Sequence, residues 1–153
     1  MADTPRHSVS VAAAIIRDDG RVLAIRRRDN GRWEPPGGVL ELDETIEEGL
    51  KREVREETGL GVEIDRLTGV YKNMARSIVA LVFRCHVVNG TPHSSAEVSE
   101  AAWLSTDEVR ERMSEAFATR LVDAYTSTTS QPLIRHHDGE RILAADGERS
   151  VNT

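Results

Sequence analysis

Residues 38–60 read GVLELDETIEEGLKREVREETGL, and the rest of the chain is organised around this stretch. Ile46, Leu50 and Val54 recur every four positions between Thr45 and Thr58, which puts them on one helical face while the opposite face is densely charged. Thr45 followed three residues later by Glu48 is a capping-box pattern, and Gly59 stands where a helix turns left-handed and stops. The spacing therefore predicts a helix with both ends marked. Gly49, in its middle, costs up to about 1 kcal/mol relative to alanine unless close packing uses the space.

The same helix carries a charge pattern that points to chemistry. Glu53, Glu56 and Glu57 lie at i, i+3 and i+4, so three carboxylates share one side within a turn. They repel one another unless a cation sits among them, and hard oxygen donors on a short arc suit Mg²⁺ or Mn²⁺. Arg52 is an alternative counter-charge. With Lys51, Arg52 and Arg55 interleaved, the pattern also fits a solvated, salt-bridged surface helix. The PPGG run at 35–38 favours a ligand, because glycine lets backbone amides and carbonyls approach a metal or a phosphate closely.

Working outward, HSVSVAAAIIR (7–17) and RVLAIRRR (21–28) flank a DDG turn and predict a hairpin. RDNGRWEPPGG (28–38) predicts a loop with little regular structure. LGVEIDRLTGVYKN (60–73) and RSIVALVFRCHVVNG (76–90) read as strands, EAAWLS (100–105) as one more, and 106–125 as a second helical region that closes the core near residue 127. Beyond it, Asp138-Gly139 is expected to turn a small hairpin over 132–143. A lone hairpin is marginal in water, so it docks on the domain itself or on a second copy in a homodimer, or else is disordered. The last ten residues are expected to be disordered.

The chain has 153 residues, 39% apolar and 30% charged, with 20 Lys plus Arg against 26 Asp plus Glu for a net charge of −6. That composition supports one folded domain and excludes global disorder. Apolar runs such as VAAAII and IVALVF are far shorter than the roughly 20 residues that cross a bilayer, and MADTPRHSVS lacks the apolar core of a secretory signal. The reading is a cytoplasmic protein without a membrane partner. Cys85 is the only cysteine, so no intramolecular disulfide or multi-cysteine metal site forms. Basic residues are scattered apart from Arg26–Arg28, which argues against duplex nucleic acid as a partner.

The opening stretch resembles the Nudix box, Gx5Ex7REUxEExGU with U a bulky aliphatic residue, at every fixed position: Gly38, Glu44, Arg52, Glu53, Val54, Glu56, Glu57, Gly59 and Leu60. At about 7% usage per residue type, its seven invariant matches arise by chance on the order of once in 10⁸ starts. The resemblance extends to Trp33, Pro36, Gly37 and Gly38 ahead of the box and to Glu97, Glu100 and Trp103 after it, and covers roughly residues 8–127. It implies the Nudix fold, an α/β (α+β) architecture in which a mixed central sheet lies in an α/β/α sandwich. The domain would span 1–127, with 128–153 a C-terminal extension. It also implies a Mg²⁺-dependent hydrolase, Mn²⁺ substituting, in which water attacks a phosphorus of a nucleoside diphosphate derivative.

Carried over position by position, the resemblance makes Glu56 and Glu57 the principal metal ligands, with a backbone carbonyl from Gly37. Glu53 becomes a ligand or the general base, Arg52 orients the glutamates, and Glu97 joins as metal ligand or base. Glu44 braces the loop. On the substrate side, Gly38 lies in the close-approach loop, Arg26 or Arg27 meets a phosphate, and Trp33, Tyr71 and Phe83 are candidates to stack on a base. His136 and His137 point to opposite faces of a strand and so do not share an ion.

The substrate is read by elimination. The window Ala75, Arg76, Ser77 lacks the proline typical of ADP-ribose hydrolases of the family, and Arg76, Ser77, Ile78 lacks the tyrosine typical of dinucleoside polyphosphate hydrolases. A nucleoside triphosphate, cleaved to monophosphate and pyrophosphate, remains. The alternatives are ADP-ribose, a nucleotide sugar or a dinucleoside polyphosphate as substrate, or a non-catalytic nucleotide-binding module. Ala118 and Thr119 stand where family members specific for oxidised guanine carry an asparagine, so that specificity is not expected.

Overall fold

The computed structural model describes residues 3–144. In chain order its elements are β1 (Ser8–Ile15), β2 (Val22–Arg27), β3 (Trp33–Glu34), β4 (Gly37–Val39), α1 (Ile46–Thr58), β5 (Gly61–Asn73), β6 (Ile78–Asn89), β7 (Val98–Leu104), α2 (Thr106–Arg112), α3 (Glu115–Thr126) and β8 (Leu133–His137). One sheet has the order β4-β1-β6-β5-β8, with β1 parallel to β6 and β5 parallel to β8. A smaller sheet has the order β3-β2-β7 and is antiparallel.

The central strand β1 explains the layering. Its residues Val11 to Ile15 are all buried, and successive side chains point to opposite faces. Val11, Ala13 and Ile15 pack with Leu50 and Val54 of α1 and with Leu23, Leu60, Val62 and Cys85. Ala12 and Ala14 face the other way, onto Val109 of α2, Met113 just past its end, and Ala118, Leu121 and Ala124 of α3. Helices therefore cover both sides of a mixed sheet, as the α/β/α expectation has it.

The expected hairpin between β1 and β2 is a correction. The turn exists, with Arg17 N–H donating to Arg21 O at 2.8 Å and a bridge between Ile16 and Val22, but the strands then part into different sheets. Both edges of β1 are taken by β4 and β6, and both edges of β2 by β3 and β7, so neither strand has an edge left for the other. The stretch 28–38 is also more ordered than expected. Trp33 pairs with Arg26 and Glu34 with Ile25, while Gly37 and Gly38 pair with Ala12 and Val11. Pro35 and Pro36 separate the two short strands because neither has an N–H to give a ladder.

The helix ends are as read. Thr45 and Glu48 form a complete capping box, and Gly59 adopts φ +80°. Gly49 is backed closely enough that a Cβ there would stand 2.5 Å from Leu40 Cδ1 and 2.9 Å from Glu44 Oε2. The far ends of the Leu40 and Glu44 side chains thus occupy the space a side chain would take at this mid-helix glycine. The C-terminal segment lays β8 along β5 and turns back at Asp138–Arg141 to bridge His137 with Ile142. Arg135 holds it there with a bidentate pair to the buried Asp123 on α3, at 2.7 and 2.9 Å. Of the tail expected to be disordered, residues 145–153 lie outside the described residues. Among the described residues no helix is long and apolar enough to cross a membrane.

Candidate active site

Helix α1 buries Leu50, Val54 and Thr58, and the same rotation presents Glu53, Glu56 and Glu57 along its edge toward the β4 corner. Glu57 is 7% exposed and accepts a hydrogen bond from Gly37 N–H at 2.8 Å. Burial pushes its carboxyl up to about 8, with the charges of Glu53, Glu34 and Glu97 adding to the shift and the Gly37 amide opposing it. Glu53 is raised too, first by burial and then by Glu56 and Glu97, against its bond to Arg52.

Both glycines of the corner are dictated by close approach. A Cβ at Gly37 would collide with the Val11 carbonyl oxygen, and one at Gly38 would stand 2.5 Å from the Glu53 carboxyl group. Arg52 is the hub of the acids. Its Nε and Nη2 donate to Glu44 at 2.7 and 2.9 Å, and its Nη1 donates to Glu53 at 2.9 Å and Glu56 at 3.1 Å. In return Glu44 is held below the usual carboxylate range, chiefly by its bond to Arg52. Glu97 is exposed on the loop entering β7, and its charge reaches both Glu53 and Glu57.

The donor set suits a hard divalent cation: carboxylates that raise one another's pKa, one of them buried, beside an exposed acid on a neighbouring loop. Among the described residues no three acidic, imidazole or thiol groups already converge on one point. Arg52 instead draws Glu53 and Glu56 to itself.

Beside this corner opens a cavity of about 640 Å³, whose lining includes Gly37, Gly38, Arg27, Glu34, Phe117 and Arg120. Nucleotide-sized ligands fit such a volume. Arg27 reaches it while bonded to Asp29 at 2.6 and 2.9 Å. Arg26 does not line it; its Nε donates to Gly31 O at 3.0 Å. Trp33 lines a separate hollow of about 360 Å³, where Arg112 stands 5.4 Å from its ring.

Tyr71 is a correction among the stacking candidates. It is fully buried, its hydroxyl donates to Asp123 Oδ2 at 2.7 Å, and its ring belongs to the core beneath α3. Phe83 likewise packs with the α1-side core. The aromatic ring that does line the cavity is Phe117. Sequence reading passed over it as a substrate contact, together with Glu34 and Arg120, because each looks like an ordinary element residue until the chain is folded; His137, weighed there only as a metal ligand, lines the cavity too. His137 is buried and His136 exposed, in keeping with alternate faces.

A mixed sheet between helices thus carries an acidic helix braced against a glycine corner beside this cavity. The chain belongs to the NUDIX family: the NUDIX domain family matches residues 6–125. A MutT-like protein of Streptomyces ambofaciens is 58% identical over 141 residues, covering 92% of this chain and 90% of that one. An ADP-ribose pyrophosphatase of Methanocaldococcus jannaschii is 32% identical over 110 residues, 67% of this chain and 65% of that one. Among solved structures, a MutT NUDIX hydrolase from Burkholderia pseudomallei superposes with a TM-score of 0.70 at 28% identity, over 78% of this chain and 98% of that one. The protein is thus a NUDIX hydrolase, in a family that uses divalent metal ions.

Proposed function

We propose that the protein hydrolyses a nucleoside triphosphate to the monophosphate and pyrophosphate with Mg²⁺, Mn²⁺ substituting. The observation that carries this reading is the continuity of the 640 Å³ cavity with the Gly37–Gly38 corner above Glu53 and Glu57. A nucleoside fits the cavity while its phosphates lie over the acids. Glu53, Glu56, Glu57, Glu97 and the carbonyl of Gly37 would hold the metal. A bound divalent ion supplies positive charge to the phosphate oxygens and acidifies water.

The chain's own residues do the rest. Arg52 keeps Glu53 and Glu56 in place through its anchor on Glu44, and Glu53 or Glu97 takes the proton from the attacking water. Arg27 neutralises phosphate charge at the cavity wall, with Gly38 giving the substrate close backbone approach. Arg26 and Trp33 stand outside this cavity and take no part in the reading. The test is a release screen over nucleoside triphosphates, ADP-ribose, nucleotide sugars and dinucleoside polyphosphates, with Mg²⁺ or EDTA, beside Glu56→Gln and Glu57→Gln. Triphosphate turnover lost with EDTA and in both variants supports the reading; preferred turnover of any other compound replaces the substrate, and metal-independent turnover refutes the site.

A further inference from the structure

Of the acids proposed to serve the reaction, Glu97 is the one that α1 does not carry, so another part of the chain has to fix it. It ends the connection between β6 and β7, in which residues 90–97 form no helix or strand. An exposed acid on such a connection samples many positions unless its backbone is tied down. Two pins do so. Near the start, His93 N–H donates to Thr58 O, in the last turn of α1, at 3.0 Å. The His93 ring lies against Gly59, where a Cβ would collide with it, so the glycine that ends the helix also makes room for the pin.

The second pin is Arg28, just past β2. Its N–H donates to Glu97 O at 3.0 Å and its Nε to Ser95 O at 2.9 Å, while Ser95 N–H closes a turn onto Val98 O at 2.9 Å. Arg28 is exposed and, among the described residues, pairs with no carboxylate, whereas Arg27 beside it pairs with Asp29 and Glu34. Its polar contacts are therefore spent on the backbone that carries Glu97.

The strand ladder delivers Glu97 to this arginine. β2 and β7 pair evenly from Val22–Leu104 to Arg26–Glu100 and then slip by one residue, so that Arg27 faces Val98. Ser99 is the extra residue, its hydroxyl donating to Arg26 O at 3.3 Å. In an even ladder Arg28 would face Val98 and Glu97 would fall beyond it. The slip brings Glu97 opposite Arg28 and exchanges the face its side chain takes, the kind of re-aiming that bulges provide. Val98 is fully buried, which anchors the slipped register.

We infer that Arg28 is a positioning residue for the reaction: by holding the backbone at Ser95 and Glu97 it sets the Glu97 carboxylate beside the acids of α1, and it acts only through Glu97. This rests on the reading above that Glu97 holds metal or takes the proton. An arginine that merely keeps a strand end in solution would show no coupling to Glu97.

The test is a double-mutant cycle. kcat and KM are measured for wild type, Arg28→Met, Glu97→Gln and the double variant on the nucleotide that wild type turns over fastest, with thermal melting and with amide hydrogen exchange at Ser95 in the metal-free protein. Arg28→Met is expected to lower kcat about tenfold with KM within about twofold and melting unchanged. In the Glu97→Gln background the same change is expected to cost less than about twofold. Exchange at Ser95 is expected to quicken about tenfold in Arg28→Met. Arg28→Lys, which keeps a donor for Ser95 O, is expected to bring kcat back to within about threefold of wild type. An equal loss in both backgrounds, a loss confined to KM, or unchanged exchange at Ser95 overturns the inference and leaves the role of Glu97 standing. Wild-type turnover by Glu97→Gln overturns that role and the inference together, and a protein that turns over none of the screened compounds overturns the proposed function with them.

Discussion

Acid should loosen this protein at one buried imidazole. His137 is 2% exposed, and both of its ring nitrogens face donors: Gly139 N–H at 3.0 Å and the Arg120 guanidinium at 3.4 Å. Burial first, and then the charge of Arg120, push its pKa down to about 4. In the unfolded chain the same imidazole titrates near 6.5. As pH falls below 6.5 the unfolded state takes up the proton first, so stability falls with pH, and the loss is complete below about 4. The gap amounts to about 2 kcal/mol at pH 5 and about 3 kcal/mol below pH 4. Urea unfolding of wild type and His137→Gln at pH 7.5 and pH 5.0 isolates this group from the carboxylates, which titrate in both proteins. At pH 7.5 the variant is expected to be the less stable by about 1 kcal/mol, through lost packing. At pH 5.0 the difference should move by about 2 kcal/mol in the variant's favour. A wild-type minus variant difference that is the same at both pH values refutes the reasoning.

Three further outcomes follow from packing. Gly49→Ala gains helix propensity but drives a methyl to within 2.5 Å of Leu40 Cδ1 and 2.9 Å of Glu44, so thermal melting is expected at a lower temperature than wild type, whereas an exposed helix would melt higher. Gly38→Ala sets a methyl 2.5 Å from the Glu53 carboxyl group; kcat is expected to fall by about 100-fold with little change in melting temperature, measured with saturating metal. Asp123→Ala leaves the Tyr71 hydroxyl and the Arg135 guanidinium without their shared acceptor and frees β8 from α3; urea titration should show a loss of about 3 kcal/mol.

The sequence made α1 and its acids plain because everything that defines them is local: an apolar period, a cap at each end and carboxylates one turn apart. The layered fold was legible for the same reason in β5, β6 and the closing helices. Long-range pairing was not. Nothing near Ile15 or Val22 says that their strands part, since that depends on β4, β6, β3 and β7 taking every edge. The pairing of Gly37 and Gly38 with β1 depends on the space left by two absent side chains, which shows only when Val11 and Glu53 are placed. Tyr71 offered an aromatic ring to the substrate, but its hydroxyl had a buried acceptor waiting 52 positions along the chain. Phe117, Arg120 and His137 carry no motif of their own; α3 and β8 bring them together, and only their shared cavity marks them.

The central claim is a metal-dependent attack on a triphosphate at the Glu53–Glu57 corner, and product analysis tests it most directly. GTP incubated with Mg²⁺ and separated by anion exchange is expected to yield one GMP and one pyrophosphate per turnover, with no GDP or orthophosphate, and none of either product with Glu57→Gln or EDTA. GDP with orthophosphate, turnover that survives EDTA, or no turnover of GTP or any other nucleoside triphosphate would contradict it.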